Sequence, residues 1–246
     1  IEIDDTGKIW MGTSGLKIGL IIYDPDTDSI VKLSKKDRYL PHNRVNCLFN
    51  FMDGKIWAGT TWGMAIFDQN TYHSRHLLYE KENPRSISQN SIKAIFQGKD
   101  GIVWIGTYSG GVNYFDSRSQ LINHVTDKYN NEHLLNFNIV SSIFEDRDKN
   151  LWIGTEYGGV NIYNPTTKRF SIIKEEAGKS GLVSDNIKSI IEDRRGRKFI
   201  ATQFGLSIYD QKNNSFINIT DQQGKHGKLN YKAVFDLCMD KYGNIW

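Results

Sequence analysis

The feature that most constrains this chain is a tetrapeptide, tryptophan–x–glycine–threonine, that returns at a nearly constant interval. Full copies begin at Trp10, Trp57, Trp104 and Trp152, a degenerate copy begins at Phe199, and the chain ends on Trp246. The intervals between these six anchors are 47, 47, 48, 47 and 47 residues. A fixed period of about 40 to 50 residues indicates an array in which each period is one supersecondary unit.

Each period also has fixed apolar positions and predicts four short strands. Aliphatic residues precede the anchors by nine positions (Leu48, Ile95, Ile143, Ile190, Leu237) and by twelve (Val45, Ile92, Val140, Ile187, Val234). In the fourth period, residues 139–145, 151–155, 159–164 and 169–174 are rich in β-formers and are separated by Gly, Asp, Asn and Pro turns. Helical periodicity is absent. A four-stranded antiparallel unit of this length is typical of a β-propeller blade.

We therefore predict an all-β fold, with residues 1–246 forming one β-propeller segment of about five blades and a period of about 47 residues. Ile1 to Asp4 resemble the end of a first strand, and Trp246 lies inside a second strand, so the segment is expected to begin and end mid-blade. We expect it to be part of a larger, seven-bladed ring, with closure as five blades as the alternative. The anchor tryptophans should be buried between blades, and the small residues Cys47, Ala94, Ser142 and Ser189 should lie near the propeller axis.

Composition excludes several classes of protein. The chain is 39% hydrophobic and 24% charged with a net charge of +3, which is typical neither of disorder nor of a membrane-embedded protein. No basic stripe predicts nucleic-acid binding. Cys47 and Cys238 have neither metal-site spacing nor a disulfide pattern, so two free thiols are expected.

Motifs for catalysis are missing. The six histidines are scattered, and no metalloprotease, nucleophile-elbow or phosphate-loop motif occurs. Asp146 to Asn150 resembles the start of a calcium loop, but the downstream glutamate is missing and the segment coincides with a hairpin turn of the repeat. We predict no catalytic residue, no metal site and no cofactor.

The candidate binding residues lie in the loops. In a propeller, the turns between the second and third strands share one face with the connections between blades. Four of these turns carry an aromatic residue, and the connections carry basic residues; together they give the candidate ligand-binding set Trp62, Tyr108, Tyr157, Phe204, Arg44, Arg85 and His133. Aromatic faces with cationic groups suit sugar rings that bear carboxylate or sulfate. The alternative is that the aromatics merely cover the blade tops, and the first period has none at this turn.

The repeat pattern, clearest over Asn138 to Asn164 and Lys99 to Asp116, resembles the two-component regulator propeller repeat. The resemblance implies the extracytoplasmic sensor region of a hybrid two-component histidine kinase, located in the periplasm as part of an inner-membrane protein. It also implies an oligosaccharide or other small ligand, an adjacent propeller, an immunoglobulin-like domain, a homodimer, and membrane contact only through a span outside this segment. Many such sensors respond to fragments of polysaccharides.

The sequence is also compatible with other functional classes. Some propellers with a similar strand pattern are lyases or glycoside hydrolases, so a secreted enzyme is the main alternative. An enzyme would need a clustered acid and base, and often a metal. A protein-interaction scaffold is the third hypothesis. Phe199 and Ala201 in the fifth copy, and the insertion from Ser14 to Ile18 in the first, depart from the repeat and mark candidate functional blades.

Overall fold

The structure, a computed structural model, describes residues 1–15, 17–51, 54–83, 85–116, 121–125, 135–175, 181–222 and 224–246. Within these ranges all regular structure is β, with twenty strands and no helix. The chain divides into two compact units, residues 1–125 and 126–246.

The described residues form five four-stranded antiparallel sheets, each built from consecutive hairpins. We name the strands of each sheet a to d in chain order and number the sheets as blades 1 to 5. The first unit contains blade 1 (β1 Glu2–Ile3, β2 Ile9–Gly12, β3 Leu20–Asp24, β4 Ser29–Leu33), blade 2 (β5 Val45–Phe51, β6 Lys55–Thr60, β7 Gly63–Asp68, β8 Ser74–Leu77) and blade 3 (β9 Ile92–Gln97, β10 Val103–Thr107, β11 Val112–Asp116, β12 Leu121–Val125). The second unit contains blade 4 (β13 Val140–Glu145, β14 Leu151–Thr155, β15 Val160–Asn164, β16 Arg169–Ile173) and blade 5 (β17 Ile187–Glu192, β18 Lys198–Thr202, β19 Gly205–Asp210, β20 Ser215–Ile219). The predicted all-β fold of four-stranded blades is confirmed, and the strands of the fourth period lie within one residue of their predicted bounds.

Three of the four anchor tryptophans pack between neighbouring blades, as predicted. Trp10, Trp57, Trp104 and Trp152 are 0%, 3%, 8% and 0% exposed. Three of them pack against an aromatic residue on strand c of the next blade, with ring centroids 5.7 Å apart for Trp10–Phe67, 5.8 Å for Trp57–Phe115 and 6.1 Å for Trp152–Tyr209. Since a blade cannot bury both faces alone, these pairs fill the space between adjacent sheets. Trp246, in the last copy, is 74% exposed.

The glycine of the repeated tetrapeptide marks a close approach between blades. A Cβ at Gly59 would lie 2.5 Å from the Sγ of Cys47 and 2.7 Å from the Cγ2 of Ile92 in blade 3. At Gly154 the corresponding contacts are Ser142 at 2.4 Å and Ile187 of blade 5 at 2.6 Å. The small residues on strand a are the cross-strand partners of these glycines, so the small column follows from this packing.

An aspartate six positions before the anchor completes the tryptophan site in several copies. The indole Nε1 of Trp152 donates to Asp146 Oδ2 at 2.8 Å, and Trp10 donates to Asp4 at the same distance. The second copy has Phe51 at this position, and the buried Nε1 of Trp57 finds no partner among the described residues. The turn that resembled a calcium loop therefore positions a structural carboxylate.

This difference predicts unequal costs for one substitution at two equivalent sites. Trp152→Phe removes a buried hydrogen bond to a carboxylate, whereas Trp57→Phe removes a donor that has no partner among the described residues. We expect Trp152→Phe to lower the free energy of unfolding by about 1.5–3 kcal/mol more than Trp57→Phe. Denaturant unfolding of both variants measures this, and equal costs would contradict the assignment of Asp146.

Both cysteines are free thiols, as predicted. Burial raises the pKa of the Cys47 thiol to about 12. A thiol with such a pKa is almost fully protonated at neutral pH and is therefore a poor nucleophile. Cys47 thus acts as a small packing residue opposite Gly59.

Candidate ligand-binding turns

The turns between strands b and c are closed by the threonine of the repeated tetrapeptide. Its hydroxyl donates to the carbonyl of the glycine at the entry to strand c, at 2.7 Å in blade 2 (Thr60–Gly63) and 2.9 Å in blade 4 (Thr155–Gly159). The equivalent bonds are 2.9 Å in blade 3 and 2.8 Å in blade 5. All four threonines are fully buried. The buried threonine therefore stabilises one conformation of each of these four turns.

The predicted aromatic residues project from these turns into solvent. Trp62, Tyr108, Tyr157 and Phe204 are 59%, 45%, 65% and 54% exposed. Trp62 and Phe204 occupy two-residue turns, and their N–H groups donate to the threonine hydroxyl at 3.1 and 3.2 Å. Blades 3 and 4 have longer turns, in which Tyr108 is the first residue and Tyr157 the second. The four aromatics therefore occupy two kinds of turn, a distinction that their sequence spacing did not reveal.

In the first unit the Trp62 turn is fixed from both sides. The N–H of Thr61 donates to the carbonyl of Arg44 at 3.1 Å, and the N–H of Gly63 donates to the carbonyl of Asn90 at 2.6 Å. Arg44 lies just before blade 2, and Asn90 belongs to the connection leading into blade 3. Trp62 is thus an exposed aromatic on a backbone held by two loops, which lowers the entropy lost when a ligand is bound.

Tyr108 carries a cationic neighbour that sequence reasoning missed. The ammonium of Lys93, on strand a of blade 3, lies 5.1 Å from the centre of the Tyr108 ring. This distance is within the range of a cation–π contact. Of the predicted basic residues, Arg44 and Arg85 are exposed, and His133 lies outside the described residues.

In the second unit Tyr157 adopts an unusual backbone conformation. Its φ is +76°, in the left-handed region that residues other than glycine rarely occupy, and six other non-glycine residues among the described turns share that region. The turn is tied down by bonds from Glu156 N to Ile139 O and from Gly159 N to Asp185 O, both 2.9 Å. The Tyr157 ring makes an edge contact with Phe137, with centroids 6.1 Å apart. These two rings form an aromatic pair at the loop end of blade 4.

A charged pair stands beside this aromatic pair. Lys188 Nζ, on strand a of blade 5, lies 3.8 Å from Glu156 Oε1 on the Tyr157 turn. Lys93 and Lys188 share one repeat position, eleven residues before the anchor. The recurrence of lysine at this repeat position could have identified Lys93 and Lys188 from the sequence. Phe137 gave no signal, because it lies in a connection outside the repeat pattern.

Buried asparagines on strand c hold the connections that lead into strand a. Asn113 Oδ1 accepts from Ser88 N at 2.8 Å, and Asn161 Oδ1 accepts from Asn136 N at 3.0 Å. Both asparagines are fully buried. Asn136 in turn donates to the carbonyl of Gly158 at 2.7 Å. The connection next to Phe137 and the Tyr157 turn are therefore one hydrogen-bonded unit.

Neither a metal centre nor a membrane helix is found in the part of the chain that the structure describes. In those residues no group of three or more His, Cys, Asp and Glu side chains is placed to hold a metal ion. No helix in the same ranges is long and apolar enough to span a membrane.

The family comparison agrees with the repeat pattern. Residues 86–109 and 134–157 match the family described as "Two component regulator propeller". These two stretches are similar to two component regulator propeller repeats. The two matched stretches contain Tyr108 and Tyr157 and end within the turns that carry them. No curated protein matches the chain in sequence.

Solved structures share the propeller fold over the whole chain. One is the extracellular domain of a B. thetaiotaomicron protein assigned as a hybrid two component system, with a TM-score of 0.76, 19% identity, and coverage of 100% of this chain and 38% of that one. Another is the extracellular domain of a protein assigned as a one component system from the same organism, with a TM-score of 0.77, 22% identity, and coverage of 100% and 30%. This chain therefore spans about a third of the length of these structures.

An enzyme shares the fold as well. Virginiamycin B lyase from Staphylococcus aureus has a TM-score of 0.69 and 12% identity, with coverage of 100% of this chain and 75% of the lyase. Identities at this level establish a common fold and leave chemistry to be argued from residues.

Proposed function

We propose that this chain is a ligand-binding part of an extracytoplasmic sensor, and that its ligand is an oligosaccharide released from a polysaccharide. The observation that carries the proposal is the Tyr157 turn, where an exposed aromatic with positive φ is fixed by two loops beside Phe137, Glu156 and Lys188. An aromatic face with adjacent charged donors and acceptors suits a sugar ring, which has an apolar face and a polar edge. The two component regulator propeller repeats and the sensor domains of the same fold support the sensor role.

The proposed setting follows from the same similarities. The chain would belong to a longer inner-membrane protein with a second propeller, an immunoglobulin-like domain, a span outside this segment and a cytoplasmic histidine kinase. It would lie in the periplasm and act as a homodimer. Ligand binding would shift the population between two packing arrangements of the sensor, which requires unequal affinity for the two arrangements.

We propose that the segment does not transform its ligand. A glycan-cleaving site would need an acid and a base at a defined separation, and the described turns instead combine aromatic rings with lysine, arginine and single carboxylates. The second candidate is a lyase, favoured by the shared fold with virginiamycin B lyase. Loss of the bound glycan and appearance of a product during incubation would support that alternative.

Substitution of the turn aromatics tests the binding site. Tyr157→Ala should weaken glycan binding at the turn of the second unit several-fold, because stacking on an aromatic face contributes on the order of 1 kcal/mol. Trp62→Ala should have the same effect on glycan bound at the turn of the first unit. Both side chains are more than half exposed, so the free energy of unfolding should change by less than about 0.5 kcal/mol. Titration calorimetry of the full extracytoplasmic region with a panel of polysaccharide fragments measures the first effect, and denaturant unfolding measures the second.

Tyr242→Ala is the matched control. Tyr242 is 73% exposed but lies in a turn that precedes an anchor, at the opposite end of the repeat unit from the Tyr157 type of turn. Its removal should leave glycan affinity unchanged. Affinity that survives both Trp62→Ala and Tyr157→Ala would contradict the proposed site.

A further inference from the structure

A buried lysine breaks the repeat in blade 5. The position before the anchor is aliphatic in the other copies: Ile9, Ile56, Val103, Leu151 and Ile245. In the fifth copy it is Lys198, whose side chain is 2% exposed. A charge in a core position costs stability unless it is paired, and departures from a consistent repeat are expected where function requires them.

Lys198 is held between blades 4 and 5 by oxygen atoms and one aromatic ring. Its Nζ lies 3.1 Å from Glu192 Oε1, 3.2 Å from the carbonyl of Gly196 and 3.8 Å from Asp146 Oδ2. It also lies 5.0 Å from the centre of the Trp152 ring. These partners fix the ammonium at one point and keep its charge at the bottom of a groove.

The groove above Lys198 is cationic. It has a volume of about 420 Å³ and is lined by Arg147, Asp148, Glu192, Arg195, Gly196, Lys198, Gln211 and Lys212. The lining contains four cations and two carboxylates, and Lys198 already engages one of these carboxylates. Arg147 partly neutralises the same Glu192, at 3.6 Å. The groove lies among the a–b and c–d turns, at the opposite end of the strands from the Tyr157 turn.

A second groove adjoins the first and follows an edge strand. It has a volume of about 550 Å³, is lined by all five residues of β16 together with Trp152, Ile162 and Tyr209, and shares Gln211 with the cationic groove. Among the strands that the structure describes, β16 is the outermost of blade 4 and pairs only with β15. An outer strand presents unpaired backbone groups that an extended peptide can meet by strand addition.

We propose that these two adjoining grooves, formed by β16 and the turns around Lys198, bind an extended segment of a partner polypeptide. The segment would place apolar side chains along β16 and acidic side chains against Arg147, Arg195 and Lys212. The cationic lining favours acidic side chains at one end of the bound segment. The unpaired backbone groups of the edge strand favour an extended backbone over a compact ligand. The site is separate from the proposed glycan site, so the partner and the glycan would bind at opposite ends of the same blades.

A pair of defined peptides tests the proposal on the full chain. The probe is a fluorescein-labelled pentapeptide of three valines followed by two glutamates, and its partner peptide has two lysines in place of the glutamates. Fluorescence anisotropy at low salt should give about tenfold tighter binding of the glutamate peptide, since the charges meet a cationic groove. The double variant Arg195→Glu/Lys212→Glu should abolish this preference or reverse it. Both side chains are exposed, so folding should be unaffected.

The control is Lys225→Glu, which changes an exposed lysine outside the groove and should leave the peptide preference intact. Equal binding of the two peptides, or no binding of either at millimolar concentration, would overturn the proposal. Binding of a sulfated disaccharide that is lost in Arg195→Glu/Lys212→Glu, without peptide binding, would assign the groove to an anionic glycan instead. Glycan binding that depends on Tyr157 is measured separately, so failure here leaves the proposed function intact.

Discussion

Lys198→Ala should lower the free energy of unfolding by about 3–5 kcal/mol, because it removes the ammonium that faces the buried carboxylate of Asp146 and the nearer of the two cations beside Glu192. The affected groups are Asp146 and Glu192, whose side chains are 0% and 9% exposed. The substitution also removes the ammonium that lies 5.0 Å from the centre of the Trp152 ring. Denaturant unfolding at neutral pH measures the loss.

A double variant separates charge from packing. Lys198→Leu restores the aliphatic residue type of the other copies, and Glu192→Gln removes one of the carboxylates. Lys198→Leu/Glu192→Gln should therefore recover much of the stability lost in Lys198→Leu alone, since a buried ion pair can often be replaced by neutral groups at little cost. If Lys198→Ala costs less than about 1 kcal/mol, the network does not stabilise the packing of blades 4 and 5.

Gly159→Ala should also be strongly destabilising, and it should disturb the proposed glycan site. Gly159 has φ +71°, and an added Cβ would lie 2.3 Å from the backbone carbonyl oxygen of Ile173. The left-handed backbone costs about 1–3 kcal/mol for a residue with a side chain, and steric overlap adds about 1–3 kcal/mol. Because the Tyr157 turn ends at this glycine, we expect both reduced stability and weaker glycan binding.

Gly196→Ala provides the matched control. Gly196 has φ +86°, but the nearest atom to an added Cβ is Glu192 Oε1 at 3.5 Å. At Gly196 the left-handed backbone is unfavourable but the added methyl group causes no overlap. Gly196→Ala should therefore lower the free energy of unfolding by about 1–3 kcal/mol less than Gly159→Ala. The two costs are compared by thermal or denaturant unfolding, and the account of Gly159 is wrong if they are equal.

Most of the fold could be predicted from the repeat itself. The interval of 47 residues and the fixed aliphatic positions were sufficient for the strand order, the hairpins and the burial of Trp10 or Trp152, because each copy repeats the same local rules. Five copies of one pattern also average out the ambiguity of any single short strand. The division into two units was not predicted, because no composition change marks it.

Side-chain contacts between different copies of the repeat could not be predicted from the sequence. The pairing of Trp152 with Tyr209, and of Lys198 with Asp146, joins residues about one period apart, and no local pattern specifies which of many polar residues will meet. The aspartate six positions before the anchor is present in the sequence pattern, but its bond to the indole N–H becomes evident only from the hairpin geometry.

The sequence predicted where the candidate site lies, but it did not predict all of the residues that form it. Exposed aromatics in the turns followed from the propeller topology, which places these turns at the strand ends. Phe137 and Lys188 were missed because they come from other segments, and the positive φ of Tyr157 is a backbone property that the residue type does not indicate. His133 stays a prediction, as does the participation of Arg44 and Arg85 in ligand binding.

Glycan binding without turnover is tested by a calorimetric titration, after which the same sample is analysed by mass spectrometry. The full extracytoplasmic region is titrated with polysaccharide fragments, and each fragment is recovered after prolonged incubation. We expect saturable binding of at least one fragment, weaker binding by Tyr157→Ala, and recovery of that fragment with unchanged mass. Recovery of a shortened or unsaturated product, or binding that is indifferent to the turn aromatics, would contradict it.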